Sequence, residues 1–117
     1  MSMIYTVKDI GDLDWQLKSV GPTIVLVYFY TNACGPCTPM TPQLNIFARA
    51  YGDKLHIVKV DVDNEESAGL VEKYEIQKEL LPVFVFIRCG LILGKLHGCD
   101  TESLEDYIDG LEPRTPF

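Results

Sequence analysis

Cys34-Gly35-Pro36-Cys37 is the stretch of this sequence whose residue types and spacing suit covalent chemistry. Two sulfurs this close along the chain can close a small disulfide ring, and it is thiolate rather than thiol that attacks a disulfide. Where a strand hands over to a helix, Cys34 meets unpaired N–H groups and the positive end of the helix dipole, which favour its thiolate. Cys34 is therefore the expected nucleophile. Cys37, one turn further in, is the shielded thiol expected to resolve a mixed disulfide by attacking Cys34. The competing readings are an inert reduced pair and a zinc site. Zinc wants about four ligands, and beyond the motif only Cys89, Cys99, His56 and His97 exist, with no second close pair of cysteines. Neither a metal nor another cofactor is expected.

The elements around the motif follow from hydrophobic periodicity. A short strand at Ile4 to Val7 precedes a helix with Ile10, Leu13 and Leu17 at helical spacing, stopped by Gly21-Pro22. Thr23 to Tyr30 is β-branched and aromatic with almost no polar break, the pattern of a strand buried on both faces. Behind Thr31-Asn32-Ala33, the residues Met40, Leu44, Phe47, Ala48 and Tyr51 form the apolar stripe of a helix closed by Gly52. Pro42 falls within that pattern and is expected to kink the helix. Leu55 to Val60 reads as a second buried strand, followed by a helix carrying Ala68, Val71 and Tyr74. Val83 to Ile87 and Leu91 to Leu96 are separated only by Arg88-Cys89-Gly90, too short for a crossover, so they must pair antiparallel. Asp100 or Thr101 can cap a last helix whose inward stripe is Leu104, Tyr107, Ile108 and Leu111. The order β-α-β-α-β-α-β-β-α predicts a mixed sheet between helices, an α/β fold.

Length and charge bound the function. At 117 residues the chain is expected to form one domain, 1–111, with a short tail, 112–117, whose Pro113 and Pro116 deny it helix. Ten Lys and Arg against seventeen Asp and Glu give a net charge of −7, which repels phosphate backbones and anionic lipid, so nucleic acid is not an expected partner. The longest apolar run, Ile24 to Tyr30, has seven residues, far short of a membrane span. The amino-terminal residues lack the basic and apolar regions of a secretory signal, which points to a cytoplasmic, reducing compartment. There, cysteines serve chemistry or core rather than a disulfide framework.

On these residues the chain resembles the thioredoxin family from Val7 to Leu111. Cys34-Gly35-Pro36-Cys37 matches the family's redox motif, and Pro42 its helix-kinking proline. Pro82 in Leu81-Pro82-Val83 matches the proline that follows a cis bond beside the active site, and Gly98 the glycine of the neighbouring loop. Lys59-Val60-Asp61-Val62-Asp63 looks like the family's third strand and its exit. The resemblance implies the thioredoxin fold, a mixed central sheet of about five strands flanked by about four helices. It also implies reduction of disulfides in partner proteins, with a thioredoxin-reductase-like electron donor renewing the dithiol. Ala33, Gly35, Pro36, Leu81, Pro82 and Gly98 would then form the motif and substrate groove. A proline ahead of a buried strand cannot donate to the ladder and leaves neighbouring backbone groups free to pair with an extended substrate.

The chain departs from the family at several positions. Ala33 stands where the family has a Trp, removing a flat apolar contact for partners. Tyr28 stands at the position of the family's buried Asp, the residue credited with taking the proton of the second cysteine, and a tyrosine is a poor base at neutral pH. Thr38 replaces a common Lys, Val83 replaces the Thr after the proline, and the Ile76 to Leu81 loop reads as longer. A second reading is therefore a binding or redox-switch module with weak turnover. Tyr28, Lys59 and Cys99 are candidates for proton transfer or regulation. Cys99, directly after Gly98, has three open uses: a regulatory disulfide or glutathione adduct, a redox-dependent homodimer, or a small reduced loop residue. Cys89 reads as a turn residue, His56 as a strand residue with a surface ring, and Trp15 as part of the first helix's packing. The acidic run Asp61, Asp63, Asn64, Glu65 and Glu66 reads as a solvated helix start.

Overall fold

The computed structural model describes residues 4–98 and 100–111. Strand β1 (Ile4–Thr6) leads into helix α1 (Ile10–Ser19), which Asp9 caps by accepting from the Asp12 amide at 2.8 Å. Next come β2 (Ile24–Tyr30), α2 (Met40–Tyr51), β3 (Leu55–Asp61), α3 (Ala68–Lys73), the hairpin β4 (Val83–Arg88) and β5 (Leu91–His97), and α4 (Thr101–Leu111). Asp100 caps α4 by accepting from the Ser103 amide at 2.8 Å. The five strands form one sheet in the order β1-β3-β2-β4-β5. β1, β3 and β2 run parallel, β4 is antiparallel to β2, and β5 is antiparallel to β4, as the short Cys89-Gly90 connection between them demands.

The period-2 alternation of the central strands divides the core into two layers. Val25, Val27 and Phe29 of β2, with Val83, Val85 and Ile87 of β4, face Leu13 of α1 and Leu70 of α3. Ile24, Leu26 and Tyr28, with Phe84 and Phe86, face Leu44 and Phe47 of α2 and Leu104 and Ile108 of α4. Every residue of the α2 stripe predicted from spacing is buried. Lys95 ties β5 to the end of α3, donating to the carbonyls of Tyr74 at 2.9 Å and Glu75 at 3.1 Å.

Four expectations are corrected. Pro42 does not sit in a helix interior: α2 begins at Met40, so the proline lies in the first turn, where its missing N–H would have no partner within the helix. Trp15 is 66 % exposed, because α1 buries only Leu13 fully and turns the Trp15 face outward. In α3 Ala68 is exposed and Leu70 is buried in its place, while Tyr74 at the helix end is buried and Val71 packs against the same layer, as expected. His56 is half-buried rather than superficial, bonded to Gln16 at 2.6 Å and packed on Tyr5. Burial lowers its pKa.

Candidate functional site

The end of β2 and the start of α2 are joined by a tight segment that carries both motif cysteines. The Cys34 amide donates to the Thr31 carbonyl at 3.1 Å, and Gly35–Cys37 then form a single turn of 3-10 helix in which the Cys37 amide donates back to the Cys34 carbonyl at 3.2 Å. Pro36 favours that turn, since its fixed φ suits a helical start and its lost N–H costs nothing there. The long helix starts only at Met40, so its dipole reaches Cys34 through this turn rather than directly.

Cys34 and Cys37 are joined in a disulfide, with Cα atoms 5.3 Å apart. Cys37 is 3 % exposed, within the core layer that also holds Leu81 and Val83, whereas Cys34 is half-buried and packs against that layer. Ala33, Gly35 and Pro36 are exposed around it. The Leu81–Pro82 bond is cis, and Pro82 is buried ahead of β4. Its carbonyl accepts from the Gly98 amide at 3.3 Å. Gly98 has φ +58, a conformation glycine adopts without strain, so this bond fixes the loop after β5 against the loop before β4. Cys99 lies outside the described residues. Among the described residues no cluster of metal-ligating side chains occurs, including the acidic run after β3, which forms the capped 3-10 turn Glu65–Ser67.

Tyr28 is fully buried in β2, stacked between Tyr30 and Phe84 with ring centroids 5.2 and 5.4 Å away. Its hydroxyl donates to the Cys37 carbonyl at 3.1 Å. Burial is the main cause of its raised pKa, and a hydrogen bond with the Thr41 side chain opposes the rise in part. Lys59, on the neighbouring strand, shares with Tyr28, Thr41 and Asn45 the wall of a cavity of about 130 Å³, and its ammonium lies 5.9 Å from the centre of the Tyr30 ring. Sequence reasoning singled out Tyr28 and Lys59 but passed over Tyr30 and Thr41. Thr41 had a legible signal: four residues after Cys37, it falls on the same side of a continuing helical path. Tyr30 had none, because stacking depends on where ring planes meet.

The family model described as Thioredoxin matches residues 12–110. Thioredoxin-T of Drosophila melanogaster is 35 % identical over 107 residues, covering 92 % of this chain and 66 % of the relative, so the chain spans just under two thirds of that protein's length. Thioredoxin-1 of Drosophila yakuba is 31 % identical, covering 88 % of this chain and 92 % of the relative. The solved structure of reduced Schistosoma mansoni thioredoxin pre-protein superposes with a TM-score of 0.83 at 30 % identity, covering 93 % of this chain and 98 % of that one. With the family model spanning both cysteines, the cis proline and the glycine bonded to it, this chain belongs to the thioredoxin family of thiol-disulfide oxidoreductases.

Proposed function

We propose that the protein reduces disulfides in partner proteins, with Cys34 as the attacking thiol and Cys37 as the resolving thiol. The observation that carries this reading is the asymmetry of the pair: a half-buried cysteine joined to a buried cysteine three residues on. In the first step the Cys34 thiolate attacks a partner disulfide, a Cys34–partner bond forms, and the first partner sulfur leaves as thiolate and is protonated. In the second the Cys37 thiol loses its proton and attacks Cys34, the mixed disulfide breaks, and the second partner sulfur leaves. Two electrons pass from the dithiol to the partner. A reductase partner must return them, and a thioredoxin-reductase-like electron donor is the one proposed.

Ala33, Gly35 and Pro36 are exposed beside Cys34 in the chain, Leu81 lies in the core layer that Cys34 packs against, and the Pro82 carbonyl is tied to the Gly98 amide. That arrangement supports these six as the substrate groove. The binding-module alternative is not favoured by the intact pair or by the family match. No helix among the described residues is long and apolar enough to cross a membrane. A reducing cytoplasmic compartment, a single domain over 1–111 with the tail 112–117, and a redox-dependent homodimer through Cys99 belong to the same reading.

The test is insulin reduction with dithiothreitol as electron source. Turnover above the dithiothreitol background supports the enzyme. Cys37→Ser should accumulate a mixed disulfide at Cys34. Faster alkylation of Cys37 than of Cys34 in the reduced protein would reverse the two roles.

A further inference from the structure

The turn that carries the redox pair is tied to the β2 segment at both ends. At its start the Cys34 amide donates to the carbonyl of Thr31, the residue after β2, at 3.1 Å, and the Thr31 hydroxyl donates to the Asp63 carboxylate. At its far end the Tyr28 hydroxyl donates to the Cys37 carbonyl at 3.1 Å. The Cys37 side chain takes no part in this second tie, since it lies in the core layer of Leu81 and Val83 while Tyr28 lies in the layer that faces α2. What the hydroxyl governs is where the Cys37 backbone is held. Its own ring is fixed: Tyr28 is fully buried, flanked in register by Lys59 of β3 and Phe84 of β4, and stacked between Tyr30 and Phe84. The Thr41 side chain, in the first turn of α2, bonds the same hydroxyl. Burial raises the Tyr28 pKa, so the phenol keeps its proton, and the donation, through the neutral range.

We propose that Tyr28 sets the reducing strength of the pair as a positioning residue: its hydroxyl pins the Cys37 end of the turn to β2, keeps the two cysteines in bonding register when they are reduced, and so favours closure of the Cys34–Cys37 disulfide. The inference rests on that pair being the one that cycles. In the disulfide the covalent ring itself fixes the turn. The dithiol has only hydrogen bonds to hold the same geometry. Loosening the turn therefore adds more conformational freedom to the dithiol than to the disulfide, and lowers the effective concentration of one sulfur at the other. A hydrogen bond of ordinary net strength corresponds to a several-fold change in that concentration, up to about tenfold. Without the pin, the dithiol closes less readily and is a weaker reductant.

The experiment uses the full chain in a Cys89→Ser, Cys99→Ser background, so that one couple titrates. It is equilibrated at neutral pH with mixtures of reduced and oxidised dithiothreitol, quenched in acid, alkylated and read by mass. Two electrons and two protons pass from the Cys34–Cys37 dithiol to oxidised dithiothreitol, whose ring disulfide opens as the protein's closes. Tyr28→Phe keeps the ring and its stack, and should lower the equilibrium constant for closure several-fold, up to about tenfold, which for a two-electron couple is up to about 30 mV toward a weaker reductant. Thr41→Val removes only the second bond to the hydroxyl and should lower the constant by about twofold. Tyr30→Phe removes a neighbouring hydroxyl, leaves the pin, and should keep the wild-type value. A constant unchanged or raised in Tyr28→Phe would overturn the inference. So would an equal fall in Tyr30→Phe, which would trace the effect to the aromatic stack. If Tyr28→Phe shows no urea transition, Thr41→Val decides: a fall supports the pin, and an unchanged constant rejects it. A wild-type pair that does not exchange with dithiothreitol at all would instead sink the redox reading, and the inference with it.

Discussion

Cys34 and Cys89 share a local signature, a cysteine followed by a glycine at the end of a strand, yet the fold makes different things of them. Cys34 follows β2, is half-buried, and is held by a turn that brings a second sulfur to it. Cys89 follows β4 at the opposite end of the sheet, exposed, with φ +52 beside Gly90 at φ +80. Two left-handed residues between the paired Arg88 and Leu91 make the hairpin turn whose twist matches its strands. A thiol becomes a redox group here through the backbone that delivers its partner, and the hairpin delivers none among the described residues.

The sharpest way to break this contrast is to exchange serine for each cysteine. Cys34→Ser should abolish insulin reduction, while Cys89→Ser should leave the turnover rate at the wild-type value. Any loss in the latter would link the two ends of the sheet.

The next effect separates packing from chemistry. Phe86, in strand β4 of the hairpin, is fully buried. Phe86→Ala should cost about 3–5 kcal/mol in urea unfolding. Leu91→Ala, at a side chain 71 % exposed, should stay within about 0.5 kcal/mol. Comparable losses would mean that Leu91 is covered in solution.

Gly94 refines the hairpin side. A Cβ there would meet the Tyr107 hydroxyl at 1.6 Å and its ring carbon at 2.8 Å, so the Tyr107 ring must move to admit it. Gly94→Ala should destabilise by about 1–3 kcal/mol, and Tyr107→Leu in the same chain should recover part of the loss.

A smaller effect of opposite sign is expected at the turn. Cysteine tolerates the left-handed region poorly, at about 1–2 kcal/mol, while asparagine is favoured there. Cys89→Asn should therefore raise the midpoint by up to about 1 kcal/mol in stability, without changing reduction kinetics.

The smallest effect concerns pH. Val25 pairs with both His56 and Ile87, which puts His56 at the hairpin end of the sheet. Burial lowers its folded pKa below that of the unfolded chain, so the fold favours neutral imidazole. That contribution is complete above about pH 6.5 and declines as pH falls through the unfolded and then the folded pKa. His56→Gln should flatten stability in that window. An unchanged slope would show that other groups set it.

The sequence by itself determined the redox pair, the element order, the antiparallel hairpin and the buried α2 stripe. These depend on spacing along one strand or helix, and a period of 2 or 3.6 is a local property. The resemblance of Leu81-Pro82 and Gly98 to family positions added the cis bond and the loop beside it, both present here. Tertiary structure alone decided what those periods leave open. Trp15 occupies helical spacing like Leu13, yet only Leu13 is met by the sheet. Pro42 reads as interior until the 3-10 turn around Cys37 delays the helix to Met40. Tyr28 reads as core, and is core, but only the approach of the turn to β2 puts its hydroxyl on the Cys37 carbonyl. A side chain's type and period state what it can bury, and which neighbour arrives to cover or bond it is settled by chain segments distant in sequence.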